Sequence, residues 1–146
     1  MKILYGVQGT GNGHSSRARA MVPALARRGL AVDYLFSGRS RDRFFDMQPF
    51  GDWMHRKGLT FVSEDGRVDY LRTVLGNDYL RFVRDVWSLD LAGYDLVITD
   101  FEPVTAWAGR IRGKTVISMG HQPAFDHPVP TANRDIRTSL VMKVFA

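Results

Sequence analysis

Apolar residues along this chain change period several times, and each change marks an element. Ile3, Leu4, Tyr5 and Val7 form a near-continuous apolar run over residues 2–8, the pattern of a strand buried on both faces. Ala18, Met21, Val22 and Leu25 then recur at i, i+3, i+4 and i+7. That spacing predicts a helix from Ser15, capped by Ser15 or Ser16 and stopped at Gly29 after Arg27-Arg28. Pro23 falls inside it, removes a backbone donor and predicts a kink. A second strand covers Ala31 to Phe36 and ends at Ser37-Gly38.

Further along, Arg39 to Met47 predicts a short basic helical segment closed by Pro49. Residues 53–62 predict one or two short strands, Leu59 to Val62 being the clearer. Asp65-Gly66 is a turn, and a long helix follows, with Tyr79, Phe82, Val83, Val86 and Trp87 as a core-facing stripe. Leu96 to Thr99 is an apolar strand ending at Asp100. Pro103 suits the first turn of the next helix, whose apolar face is Val104, Trp107, Ala108 and Ile111. Thr115 to Ser118 is a further strand, and Met119 to Pro130 a loop with three prolines and two histidines. From Thr131, helical spacing returns (Ile136, Leu140, Val141, Val144, Phe145) and runs on to Ala146.

Strands alternating with helices predict an α/β, Rossmann-like, doubly wound parallel sheet with helices on both faces. The strand order 3-2-1-4-5 makes strands one and four neighbours at the point where ligands bind such sheets. Strand one ends in Gly9-Thr10-Gly11-Asn12-Gly13-His14 and strand four in Asp100. The fold therefore predicts that His14 and Asp100 meet at one edge.

That loop supports more than one chemistry. Strand, glycine turn and helix resemble a dinucleotide fingerprint, but His14 occupies the slot of its third glycine. Ser37-Gly38-Arg39 stands where the ribose-binding acid belongs, although Arg39 or Arg41 could meet a 2′-phosphate of NADP. In a second reading His14 takes a proton from an acceptor hydroxyl while Asp100 holds its other ring nitrogen and stabilises the imidazolium. In a third, purely structural, His14 caps its helix and Asp100 accepts backbone amides at the head of the next one.

Composition narrows the setting. At 146 residues, 45% apolar and 24% charged, one folded domain is expected. The absence of cysteine excludes disulfides, thiolate metal sites and cysteine nucleophiles, and it fits a cytoplasmic location. No apolar run reaches the 18 residues of a membrane span, and the start of the chain lacks a signal-peptide pattern. The net charge is +5, with 16 arginines and four lysines. That excess suits anionic ligands or an anionic membrane surface. Arg39, Arg41 and Arg43 form a solvated face or meet a phosphorylated acceptor, whereas nothing resembles a nucleic-acid recognition element. His121 and His127, with Asp126 between them, match no recognised metal-ligand spacing, so no metal is expected.

The Gly9–His14 loop, followed by Arg17-Ala18, resembles the amino-terminal domain of GT-B-fold glycosyltransferases. It is most similar to the family 28 group, which includes the lipid-linked N-acetylglucosaminyltransferase of peptidoglycan synthesis. Asp95 to Pro103, with Ala106, Ala108 and Gly109 behind it, looks like the segment supplying the acidic partner of the base in plant and macrolide enzymes. Ser118-Met119-Gly120-His121-Gln122 looks like the loop after the following strand in bacterial and archaeal relatives. One departure is Arg17, where many relatives carry a proline.

The resemblance implies an inverting, metal-independent transfer of a sugar from a nucleotide-sugar to a hydroxyl acceptor, with no further cofactor. It implies His14 as base and Asp100 as its partner. Gly9, Thr10, Gly11, Asn12, Gly13, Ser15, Glu102, His121 and Gln122 would surround the acceptor. Residues 1–146 would be a single acceptor-binding domain, inactive without a carboxyl-terminal donor domain that this chain lacks. A lipid-linked acceptor would place the protein at the inner face of the membrane. The competing classes are an NADP-binding oxidoreductase domain and a catalytically silent sugar- or nucleotide-binding module.

Overall fold

The computed structural model describes residues 1–64 and 67–120. Its centre is the first apolar run, β1 (Lys2–Gln8), paired in parallel with β2 (Ala31–Ser37) on one side and β6 (Leu96–Asp100) on the other. β3 (Met54–His55) and β7 (Val116–Ser118) complete a five-stranded sheet of order β3-β2-β1-β6-β7, parallel throughout. This is the doubly wound α/β arrangement expected from the alternation of strands and helices.

Alternate residues of β1 enter two different cores, which is why the run shows no polar face. Ile3, Tyr5 and Val7 pack with Ala18 and Leu25 of α1 (Asn12–Arg27) and with Phe36 and Phe50. Leu4 packs on the other face with Leu35, Val97, Val104 and Ala108, under α3 (Tyr79–Ser88) and α4 (Pro103–Ile111). Gly6 lets α4 lie directly on the sheet, since a Cβ there would stand 2.0 Å from Thr105 Oγ1. At the carboxyl edge Val7 lies opposite Asp100, and Gln8 opposite Ser37.

Several local expectations change. α1 begins at Asn12 rather than Ser15, with an extended Gly11 before it and no side-chain cap. Ser15 is consequently buried within the helix, and Ser16 does not cap it. The helix runs on through Pro23 to Arg27, and Gly29 ends it at φ +67°.

Leu59 to Val62 is not a strand. Its backbone is held by side chains: Thr60 N donates to Asn77 Oδ1 at 2.8 Å, Val62 N to Thr73 Oγ1 at 3.0 Å, and Gln8 Nε2 to Leu59 O at 3.0 Å. Nor is Arg39 to Met47 a helix. A 3-10 turn at Arg41–Arg43 gives way to irregular chain, because Phe44 turns in to pack edge-on against Phe36 and Trp53.

The expected long helix is two helices, α2 (Tyr70–Gly76) and α3. Asn77 leaves the helical path to serve Thr60, and Asp78 starts α3 by accepting from Arg81 N at 2.9 Å. The stripe on α3 also divides: Phe82 and Val86 are core, whereas Tyr79, Val83 and Trp87 face solvent. A small antiparallel hairpin, β4 (Ser63–Glu64) with β5 (Arg67–Val68), precedes α2. The Asp65-Gly66 turn, the loop beyond Gly120 and the helical pattern from Thr131 lie outside the described residues.

Candidate active site

Because β1 and β6 are neighbours, the head of α1 and the end of β6 converge. His14 is the third residue of α1, and its Nδ1–H donates to Asp100 Oδ1 at 2.6 Å. The Asp100 side chain is 0% exposed and that of His14 17%. With Nδ1 engaged, Nε2 is the ring nitrogen turned away from the carboxylate, and no partner occupies it among the described residues. The carboxylate thus fixes both the tautomer and the orientation of the imidazole.

Arg17, one turn along α1, places Nε 2.9 Å from Asp100 Oδ2 and Nη2 3.2 Å from His14 Nδ1. The guanidinium balances the buried carboxylate while the histidine is neutral. Behind the dyad, Tyr5 hydroxyl donates to Met119 Sδ at 3.2 Å. Burial, and then the Asp100 charge, push its pKa well above the ordinary phenol value, so it stays protonated.

Phe101 follows Asp100 at φ +57°, a left-handed conformation that costs a residue with a side chain about 1–2 kcal/mol. Its ring stacks against His14 at 6.0 Å and lies parallel to Phe61 at 5.4 Å. Such strain persists only where surrounding structure enforces it, and it recurs at functional sites. Here the enforcement comes from Glu102. Its carboxylate accepts from Ser37 Oγ at 2.6 Å, Val104 N at 3.0 Å, and Thr105 N and Oγ1 at 2.7 and 2.8 Å.

Glu102 is therefore the cap of α4, fully buried, and its oxygens are occupied by the chain itself. Its carboxylate is turned into the head of α4 and not toward the Gly9–Gly13 loop, with which it was grouped in the sequence. Desolvation raises its pKa, opposed by these four hydrogen bonds. The capping part foreseen for Asp100 in the structural reading belongs to Glu102, two residues on.

The three loop glycines have different reasons. At Gly9, N donates to Ser37 O at 2.7 Å and a Cβ would stand 2.4 Å from the Phe44 ring, so packing requires glycine there. Around Gly11 and Gly13 a Cβ would meet nothing within 4 Å. Neither has positive φ, so neither turn geometry nor packing demands glycine; both leave open space before the uncapped head of α1.

Thr10 and Asn12 tie the loop sideways, Thr10 Oγ1 to Thr60 Oγ1 at 3.1 Å and Asn12 Oδ1 to Arg39 Nη1 at 2.9 Å. Ser15 is buried behind the loop. His121 and Gln122, and with them the His121–His127 loop, lie outside the described residues. In the sequence Arg17 counts both as part of the family-like stretch and as a departure from its pattern, with no role at the site, and Phe101 has none either. The signal for Arg17 was its i+3 spacing from His14 on one helix face; nothing in the sequence marked Phe101.

A search of curated proteins finds no match. Among solved structures, the chain is similar to MurG of Acinetobacter baumannii, with 18% identity and a TM-score of 0.44. That alignment covers 80% of this chain and 33% of the MurG chain, so this chain spans about a third of the relative it matches. Residues 1–141 match the model of glycosyl transferase family 1, and the chain belongs to that family.

Proposed function

We propose that this domain holds the hydroxyl acceptor of a sugar transfer from a nucleotide-sugar, with His14 as general base and Asp100 as the group that orients it. The observation carrying this reading is the 2.6 Å contact between His14 Nδ1 and a fully buried Asp100, beside two glycines that open the head of α1. In the reaction, the acceptor oxygen bonds to the anomeric carbon as the bond to the nucleotide diphosphate breaks, and the hydroxyl proton passes to His14 Nε2. The Asp100 carboxylate balances the imidazolium. The donor is bound by a second, carboxyl-terminal domain. Family membership supports glycosyl transfer as the chemistry.

The dinucleotide alternative has less support. A ring tied to Asp100 occupies the third-glycine slot, and no acid stands at the end of β2.

An exposed apolar face supports a membrane-borne acceptor. Leu71, Leu75, Leu80, Val83 and Trp87 project from α2 and α3, Leu80 at 86% and Trp87 at 63% exposure, with Arg72 and Arg84 among them. Such a face suits shallow contact with an anionic bilayer. Among the described residues no helix is long and apolar enough to cross a membrane.

The transfer reading is tested in the intact enzyme. His14→Ala should lower kcat by about 10²–10⁴-fold, the usual contribution of a general base, while the donor Kd is unchanged. An unaltered kcat removes His14 as base.

A further inference from the structure

A cavity of about 380 Å³ adjoins the glycine loop, between the ends of β2 and β3 and the start of α3. Arg39, His55, Lys57 and Arg81 line it, and among the described residues no acidic side chain does. Its size sits at the small end of ligand pockets, enough for a small molecule. Two contacts join it to the loop, Arg39 to Asn12 and Thr60 to Thr10.

The walls are fixed by the fold. Asn77 accepts from Thr60 N and donates to Thr60 O and Thr73 O at 2.9 and 2.6 Å, so its amide is fully engaged in holding the Thr60 wall. The His55 Nε2–H donates to Arg39 O at 2.8 Å and pins the opposite side. Arg39 is itself held in place: its guanidinium stacks on Phe44 at 4.3 Å while Nη1 donates to Asn12. Its Nε is shielded from water and has no acceptor among the described residues. Burial draws its pKa below the usual guanidinium range.

The other two cations are only loosely engaged. Lys57 Nζ is 3.9 Å from Asp78 Oδ2 and Arg81 Nε 3.7 Å from Asp85 Oδ1, both longer than a hydrogen bond. Asp78 is occupied in capping α3, and Asp85 Oδ2 accepts from Gly58 N at 3.3 Å. The Lys57–Asp78 pair is exposed on both sides and holds weakly, so Lys57 can turn to a guest, whereas Arg81 stays near the buried Asp85 at the rim. Arginine supplies the paired donors that match a planar or tetrahedral oxyanion, and lysine a mobile charge.

We infer that this cavity binds the oxyanionic group, phosphate ester or carboxylate, of a small-molecule ligand, with Arg39 and Lys57 as its main contacts and Arg81 at the rim. The site stands on these residues alone. That its ligand is the acceptor rests on the transfer reading above, Arg39 being bonded to Asn12, two residues before His14.

Calorimetric titration of the intact protein with glucose 6-phosphate, glucuronate and neutral glucose tests it. One or both anions should bind saturably and glucose should not; whichever anion binds more tightly identifies the group as phosphate or carboxylate. Raising salt from about 20 mM to about 500 mM should weaken binding severalfold. Arg39→Gln and Lys57→Gln should each weaken it by about tenfold or more, and the exposed Lys57 side chain carries no risk to folding. His14→Ala should leave it unchanged. Absence of saturable anion binding, equal binding of glucose, or affinity untouched by both substitutions would overturn the site. Because the readout is binding, its failure with His14-dependent transfer intact refutes the cavity alone. Saturable binding in an enzyme indifferent to His14 refutes the transfer reading alone.

Discussion

Replacing Glu102 by alanine tests whether this residue builds the site from behind rather than touching a ligand. The change removes the side-chain cap of α4, worth about 1–2 kcal/mol. It also leaves Ser37 Oγ, in a fully buried residue, without its acceptor. Such an orphan costs about 1–3 kcal/mol. The relief of no longer burying a carboxylate offsets part of the sum, so the expected loss is about 2–3 kcal/mol. That is a large fraction of the roughly 5–15 kcal/mol that holds a domain together.

The assay is urea unfolding followed by circular dichroism, with Glu102→Gln as the isosteric control. The glutamine keeps one oxygen acceptor but turns a donor amide toward donors, and should lose about 1–2 kcal/mol. Desolvation raises the Glu102 pKa above 4.5, so the folded state holds its proton more tightly than the unfolded one. Its contribution is therefore fully present below about pH 4.5 and declines as pH rises through the folded pKa. The gap between wild type and Glu102→Gln should narrow over that rise. A loss under about 0.5 kcal/mol for Glu102→Ala, the range of ordinary surface changes, would refute the capping role and return Glu102 to the ligand-facing set.

Asp100→Asn in the intact enzyme should lower kcat by about 10²–10⁴-fold with donor Kd unchanged, read from steady-state kinetics; equal kcat would separate Asp100 from the base. Gly13→Ala meets no neighbour and should stabilise α1 by about 0.5–1 kcal/mol while weakening acceptor binding, a combination that thermal melts and KM report together. Gly6→Ala meets Thr105 Oγ1 at 2.0 Å and should instead destabilise, by about 1–3 kcal/mol. Leu80→Ser with Trp87→Ser should lower co-sedimentation with anionic phosphatidylglycerol vesicles without changing the melting temperature, and unchanged sedimentation would dismiss the membrane face.

The parts of the fold legible in the sequence are those whose partners are apolar and continuous. The run from Ile3 to Val7 and that from Leu96 to Thr99 carry their burial in their composition, and pairing them side by side brought His14 to Asp100. Leu59 to Val62 was misleading because its backbone partners are the side chains of Thr73 in α2 and Asn77 at its end, not a neighbouring strand. Within Asp100-Phe101-Glu102, two acids lie so close that pattern cannot assign their tasks. Only the turn at Phe101, which sends one carboxylate to His14 and the other into the head of α4, separates them. The α3 stripe likewise has one periodicity but two fates, since two of its five residues are covered by the core and three are left to solvent.

In the transfer reading, Asp100 holds His14 with Nδ1 protonated and Nε2 facing the crevice as a proton acceptor. Long-range ¹⁵N–¹H correlation of the His14 ring, recorded with the imidazole neutral, reads this directly. A pyrrole-type Nδ1 and a pyridine-type Nε2 are expected in the wild type, with the preference lost in Asp100→Asn. A wild-type ring carrying its proton on Nε2 would contradict it.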